Sequence, residues 1–163
     1  MRSSIYWIGH PENHRLGIMA RPRSGDWLND EIALWRQDGV DAVLSLLEPE
    51  EVDALELLNE EVLCRSYGIE FISFPIPDRG VPDTSTAMLI AASACRMIEA
   101  GKAVAIHCRA GIGRSSLMAG AVMVLSGMDP FEAYEAIERA RGISVPDTEA
   151  QREWLSEFAQ SIA

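Results

Sequence analysis

The ten residues HCRAGIGRSS, 107–116, constrain this chain more than any other stretch. Ala103 to Ile106 (AVAI) reads as a short buried strand and Ser115 to Leu125 (SSLMAGAVMVL) as a buried helix, so the turn between them lies at a strand end. In α/β proteins that is where ligands bind. Cys108 and Arg114 bracket five residues, two of them glycines. Gly111 and Gly113 let the backbone curl so that successive N–H groups point inward, and the following helix adds the positive end of its dipole. Arg114 offers a planar fork of donors that can hold two phosphate oxygens at once. The same field favours a thiolate at Cys108. A thiolate nucleophile inside an anion cradle is equipped for phosphoryl transfer.

The run His107-Cys108-Arg109-Ala110-Gly111-Ile112-Gly113-Arg114-Ser115 resembles the H-C-x5-R-S signature of the cysteine-dependent protein tyrosine and dual-specificity phosphatases. The resemblance covers about residues 42–155. It implies that the Ser115 hydroxyl stabilises the Cys108 thiolate as it leaves in a second step, and that His107 orients the loop through hydrogen bonds. A helix N-cap at Ser115 and a satisfied core histidine at His107 are compatible structural roles.

Transfer from an ester leaves an alkoxide or phenoxide, which departs badly unless a general acid protonates it. The run PIPDRGVPD, 75–83, holds three prolines and a glycine, rules out regular structure and supplies two candidates, Asp78 and Asp83. Asp83 immediately precedes a helix starting at Thr84 and can cap it. Asp78 has no such alternative, and PIPDRGVP resembles the acid loop of compact phosphatases of this family, so Asp78 is the expected acid. Gln151 resembles the glutamine that positions the attacking water in tyrosine phosphatases, yet Thr148-Glu149-Ala150-Gln151 is equally a capping-box pattern.

The remaining elements alternate. Ile5 to Ile8 and Leu16 to Ala20 read as an edge hairpin joined through Gly9 to Asn13. A helix is expected over Asp26 to Asp38, with Trp27, Leu28, Ile32, Leu34 and Trp35 at helical spacing. Ala42 to Leu47 reads as a buried strand, and Pro49-Glu50-Glu51 opens a helix with Val52, Leu55, Leu57 and Leu58 facing the core and its charges forming a solvated face. Glu70 to Phe74 is a strand. Thr84 to about Ala100 is a helix with Met88, Leu89, Ala92, Cys95 and Met97 available to pack. Asp129 caps a helix running from Pro130 to about Arg141, and Thr148 to Gln160 is the last. The fold class expected is α/β, a mainly parallel sheet of four or five strands flanked by helices on both faces in a single domain spanning 1–163.

Lys and Arg number 14 against 25 Asp and Glu, a formal net charge of −11, which disfavours nucleic acid and anionic membrane as partners. Arg109, Arg114 and Arg79 form at most a local positive pocket, with Arg114 the best supported. Cys64, Cys95 and Cys108 lack disulfide-framework or zinc spacing, and a reducing cytoplasm fits them. Cys64 and Cys95 read as buried inert thiols rather than redox partners of Cys108. His10 and His14 read as loop histidines. No metal or other cofactor is called for, no membrane span is visible, and the oligomeric state is left open. The expected substrate is a phosphorylated protein, with a phosphotyrosine or a phosphoserine or phosphothreonine ester. The alternatives are a non-protein ester such as an inositol phosphate, phosphoinositide or nucleotide, and a phosphate-binding module without turnover. Ala110 and Ile112 favour the protein, because lipid-specific relatives tend to carry lysines inside the loop.

Overall fold

The computed structural model describes residues 4–9 and 15–162. The expected turn through His10 and Asn13, and with it His10 and His14, lies outside the described residues except for Gly9. The elements are β1 (Tyr6–Ile8), β2 (Leu16–Met19), α1 (Leu28–Gln37), β3 (Ala42–Ser45), α2 (Pro49–Ala54), α3 (Glu60–Ser66), β4 (Glu70–Ser73), α4 (Thr84–Glu99), β5 (Val104–His107), α5 (Arg114–Leu125), α6 (Pro130–Arg141) and α7 (Glu149–Ile162). The sheet runs β1-β2-β5-β3-β4, and every pairing except the antiparallel β1–β2 is parallel. The expected hairpin is therefore at the edge only through β1, because β2 lies inside the sheet against β5.

Side-chain alternation along these short strands sorts the core into two layers. Ile18, Leu44, Val104 and Ile106 pack with α4 to α7 on one face. Met19, Val43 and Ala105 pack with Leu28, Ile32 and Trp35 of α1 and Cys64 of α3 on the other. Helix α5 is buried from Arg114 to Val124, which explains why its sequence is apolar all round instead of along one stripe. It packs against α4, α6, α7 and the sheet.

Three expectations about which residues face inward are corrected. Helix α4 packs Met88, Cys95 and Met97 partly buried as expected, but its fully buried residues are Ala87, Ala91 and Ala94 and Leu89 is 70% exposed, because small side chains let its axis approach α5 closely. Leu58, expected inside, is 69% exposed: α2 ends at Ala54, and the chain turns before α3 begins. Trp27 belongs to a 3-10 turn ahead of α1 and stays exposed beneath the Arg23 guanidinium, 4.6 Å above its ring.

The parallel register aligns Met19, His107 and Ser45 across the sheet, and Ser45 in turn pairs with Ser73. The loops after β2, β5, β3 and β4 consequently leave the sheet at one level, and residues distant in sequence meet above it.

Candidate active site

Loop 108–113 connects β5 to α5, and its carbonyls are held from outside. Arg21 N donates to Arg109 O at 3.2 Å, and Arg141, at the end of α6, donates to Gly111 O at 3.2 Å and to Ala110 O at 3.4 Å. The Arg141 guanidinium also covers the Tyr6 ring at 4.3 Å. Among the described residues none of the amides of 109–113 donates to another group, so the donor side of the loop is free. The two glycines serve different needs. Gly111 has φ +72°, and a Cβ there would lie 2.7 Å from Ala20 N and 2.8 Å from Met19 O. Gly113 has φ −84°, and its requirement is room: a Cβ would run into the Asp147 carboxylate and reach 3.0 Å from Gln151 Oε1.

Cys108 is 3% exposed with Sγ 3.3 Å from Ser115 Oγ on the first turn of α5. Arg114 is buried with Nη1 and Nη2 engaged, and among the described residues its Nε has no partner. It donates to both Glu51 oxygens at 2.6 and 2.9 Å, to Ile76 O at 2.9 Å, to Leu46 O at 3.4 Å and to Asp78 Oδ1 at 3.2 Å. Burial by itself disfavours its charged form. The hydrogen bonds to Glu51, with the charges of Cys108, Glu51 and Asp78, outweigh that and hold its pKa above the ordinary guanidinium value. For Glu51 burial pushes upward, but bonds from Arg114 and from the Glu48 amide, together with the charges of Arg114 and Arg109, keep the carboxyl below its usual range. Arg109 is exposed, 3.5 Å from Glu51. Ala110 is exposed and Ile112 half-buried against the core.

Glu51 corrects the reading of α2's charges as a solvated face. Its signal was local: the run Glu48-Pro49-Glu50-Glu51 sets a proline at the first helical position and an acid at the third, where it reaches back to the Glu48 amide at 3.0 Å. Nothing local reveals that the same carboxylate grips an arginine 63 residues away.

Asp78 sits in a turn closed by Gly80 N to Pro77 O at 2.8 Å, with Arg79 at φ +60° and exposed. Its side chain is 53% exposed and touches Arg114. Asp83 instead caps α4, accepting from Thr86 N at 3.0 Å and Thr86 Oγ1 at 2.9 Å, and those bonds lower its pKa. Gln151 is fully buried. Its backbone N donates to Thr148 Oγ1 at 3.1 Å, its Oε1 accepts from Asp147 N at 3.1 Å, and its Nε2 donates to Gly80 O at 3.0 Å. It joins the start of α7, the Asp78 turn and Gly113 of the cysteine loop. His107 is fully buried beneath the loop. Cys64 is buried, with its thiol pKa pushed up by desolvation, while Cys95 is half-buried on α4 with Sγ 3.4 Å from Val122 O. A cavity of about 840 Å³ opens at the far end of α5, between apolar walls that include Leu16, Ile98 and Met123, and is separate from the Cys108 site.

A mostly parallel five-stranded sheet carrying a C-x5-R loop between its central strand and a buried helix defines the tyrosine-phosphatase-like fold class. Residues 17–128 match the family model described as "Polymorphic toxin system, DSP-PTPase phosphatase", and the chain belongs to that phosphatase family. It is similar to mouse (Mus musculus) cyclin-dependent kinase inhibitor 3, 29% identical over 126 residues, covering 77% of this chain and 60% of that protein. The chain thus spans about three fifths of the length of this curated relative. The crystal structure of kinase associated phosphatase superposes with a TM-score of 0.89 at 21% identity, over 99% of this chain and 97% of that one. PTPMT1 superposes with a TM-score of 0.79 at 26% identity, over 98% and 96%, and it has also been solved in complex with PI(5)P. Among the described residues no helix is long and apolar enough to cross a membrane.

Proposed function

We propose that this chain hydrolyses phosphate monoesters of proteins through a cysteinyl-phosphate intermediate. The observation that carries the reading is the meeting, above one end of the sheet, of Cys108, the Arg114 fork and the Asp78 carboxylate. They come from two segments far apart in sequence, the 108–114 loop and the turn after β4, and Asp78 lies 3.2 Å from Arg114 while Cys108 Sγ rests 3.3 Å from Ser115 Oγ. The amides of residues 109–113 and the Arg114 guanidinium receive the phosphoryl oxygens. The Cys108 thiolate attacks phosphorus, and the bond from phosphorus to the leaving oxygen breaks as Asp78 delivers its proton to that oxygen. Asp78, now ionised, takes a proton from water as the water attacks the cysteinyl phosphate. Sulfur departs as a thiolate that the Ser115 hydroxyl receives. Gln151, fully buried with Oε1 on Asp147 N and Nε2 on Gly80 O, ties the Asp78 turn to the start of α7 instead of reaching that water.

Two features support a protein substrate. Ala110 and Ile112 are neutral, and the one basic side chain inside the loop, Arg109, is already 3.5 Å from Glu51. A phosphoinositide substrate is the second reading, favoured by the likeness to PTPMT1. Hydrolysis of an aryl phosphate without added metal by wild type, Cys108→Ser, Asp78→Ala and Asp83→Ala proteins tests the mechanism. Wild type and Asp83→Ala are expected to turn over, Cys108→Ser to be inactive and Asp78→Ala to be strongly slowed. Turnover by Cys108→Ser, or loss on chelation, refutes it. Phosphopeptides assayed beside phosphoinositide vesicles distinguish the two substrates.

A further inference from the structure

Beneath the cysteine loop lies a second buried pair of ionisable groups that the mechanism above does not use. His107 closes β5, and strand alternation sends its side chain to the face shared with Ala105, under α1 and α3. There Nε2 meets Glu60 Oε2 at 2.6 Å, while Nδ1 faces the carbonyl oxygen of Cys108 at 3.3 Å. Glu60 opens α3 and is only 2% exposed, and the Trp35 ring of α1 packs on the imidazole with centroids 6.3 Å apart. Cys64, also on α3, lies within reach of the Glu60 charge.

A peptide carbonyl can only accept, and so can an ionised carboxylate, whereas a neutral imidazole carries a single N–H. Both contacts are hydrogen bonds when the Glu60–His107 pair holds two protons, the ring donating at both nitrogens or the carboxyl donating to Nε2. Either arrangement puts an N–H on Nδ1, aimed at the first carbonyl of the loop. An acid at the start of α3 would satisfy the helix dipole from an exposed position. Its burial against a histidine, where desolvation is costly, calls for another reason.

We propose that Glu60 is a positioning residue for Cys108, acting through His107. By fixing the ring it fixes the Cys108 carbonyl, and with it the first peptide of the loop that presents the thiol to the cradle. The proposal rests on the reading of Cys108 as the nucleophile. Glu60→Leu removes the partner, whereas Glu60→Gln keeps a side chain that can donate an amide N–H to Nε2 and leave Nδ1–H on the carbonyl. Glu60→Leu is expected to slow Cys108 alkylation by iodoacetamide and to lower kcat for an aryl phosphate, each by about tenfold or more, with KM changed far less. Glu60→Gln is expected to restore most of both. Alkylation and kcat within about twofold of wild type in a folded Glu60→Leu protein overturn the proposal, as does a Glu60→Gln protein no better than Glu60→Leu. Should Glu60→Leu fail to fold, ¹⁵N NMR of the wild-type His107 ring decides: a protonated Nδ1 is expected, and a bare Nδ1 overturns it. Alkylation and NMR need no turnover, so a wild type that hydrolyses nothing would refute the phosphatase reading while leaving this coupling legible.

Discussion

Replacing Glu51 by alanine takes from Arg114 the carboxylate that grips it with both oxygens. Arg114 is 2% exposed and the Glu51 side chain 11%, so water cannot easily take the lost partner's place. Two unit charges 4 Å apart interact by about 4 kcal/mol at the effective dielectric of such sites. Breaking a buried pair on one side costs about 3–5 kcal/mol. Arg114 keeps Asp78 and the carbonyls of Ile76 and Leu46, which points to the lower end, about 3 kcal/mol. For a domain of this size that is a fall in Tm of roughly 6–12 °C. The pH dependence has a definite sign. Glu51 titrates below its ordinary value of 4.5 in the folded protein, so its stabilisation is complete above that value and is lost as the pH falls through the folded pKa. Urea denaturation of wild type and Glu51→Ala at pH 7 and again near pH 3 measures both. The expected gap is about 3 kcal/mol at pH 7 and markedly smaller in acid. A gap below about 1 kcal/mol at pH 7, or one unchanged by acid, would refute the view of Glu51 as the structural counter-ion of Arg114.

Gly111→Ala combines a positive φ with a clash against Met19 O and Ala20 N, so it is expected to lower stability by about 1–3 kcal/mol and to weaken inhibition by inorganic phosphate, both readable on one preparation. Ala91→Leu inserts bulk where α4 meets α5 and is expected to cost about 1–3 kcal/mol in urea, whereas Leu89→Lys on the exposed side of the same helix leaves the midpoint nearly unchanged. Arg141→Met frees the carbonyls of Ala110 and Gly111 and is expected to raise the phosphate inhibition constant more than it lowers Tm, and equal stability and equal inhibition would show that the loop holds its shape without that outer clamp.

Much of the fold was legible because its signals are local. Asp129 accepts from the amides of Phe131 and Glu132, Pro130 follows it, and Gly142 ends α6 at φ +81°, each as residue chemistry dictates. The strand–loop–helix unit around Cys108 was readable for the same reason. Leu89 on α4 and Leu58 after α2 are the exceptions, exposed although apolar, while Met88, Cys95, Met97, Val52, Leu55 and Leu57 pack as their pattern implies. On α4 the close approach of α5 selects alanine over leucine, and that selection depends on a neighbouring helix the local pattern does not contain.

By itself the sequence determined the order of the strands and of the helices other than the separate α3, the cysteine loop with its arginine, and the division of labour between Asp83, which caps a helix, and Asp78, which does not. Those follow from turn, cap and periodicity rules acting over a few residues. Only the tertiary structure decided what the acidic residues accomplish. Parallel pairing brings the ends of β3, β4 and β5 level, so Glu51 and Asp78 converge on Arg114 from 63 and 36 residues away, while Glu60 reaches His107 across 47. Glu51 and Glu60 are buried because each meets a basic partner there, and a charge finds such a partner only once the strands have paired.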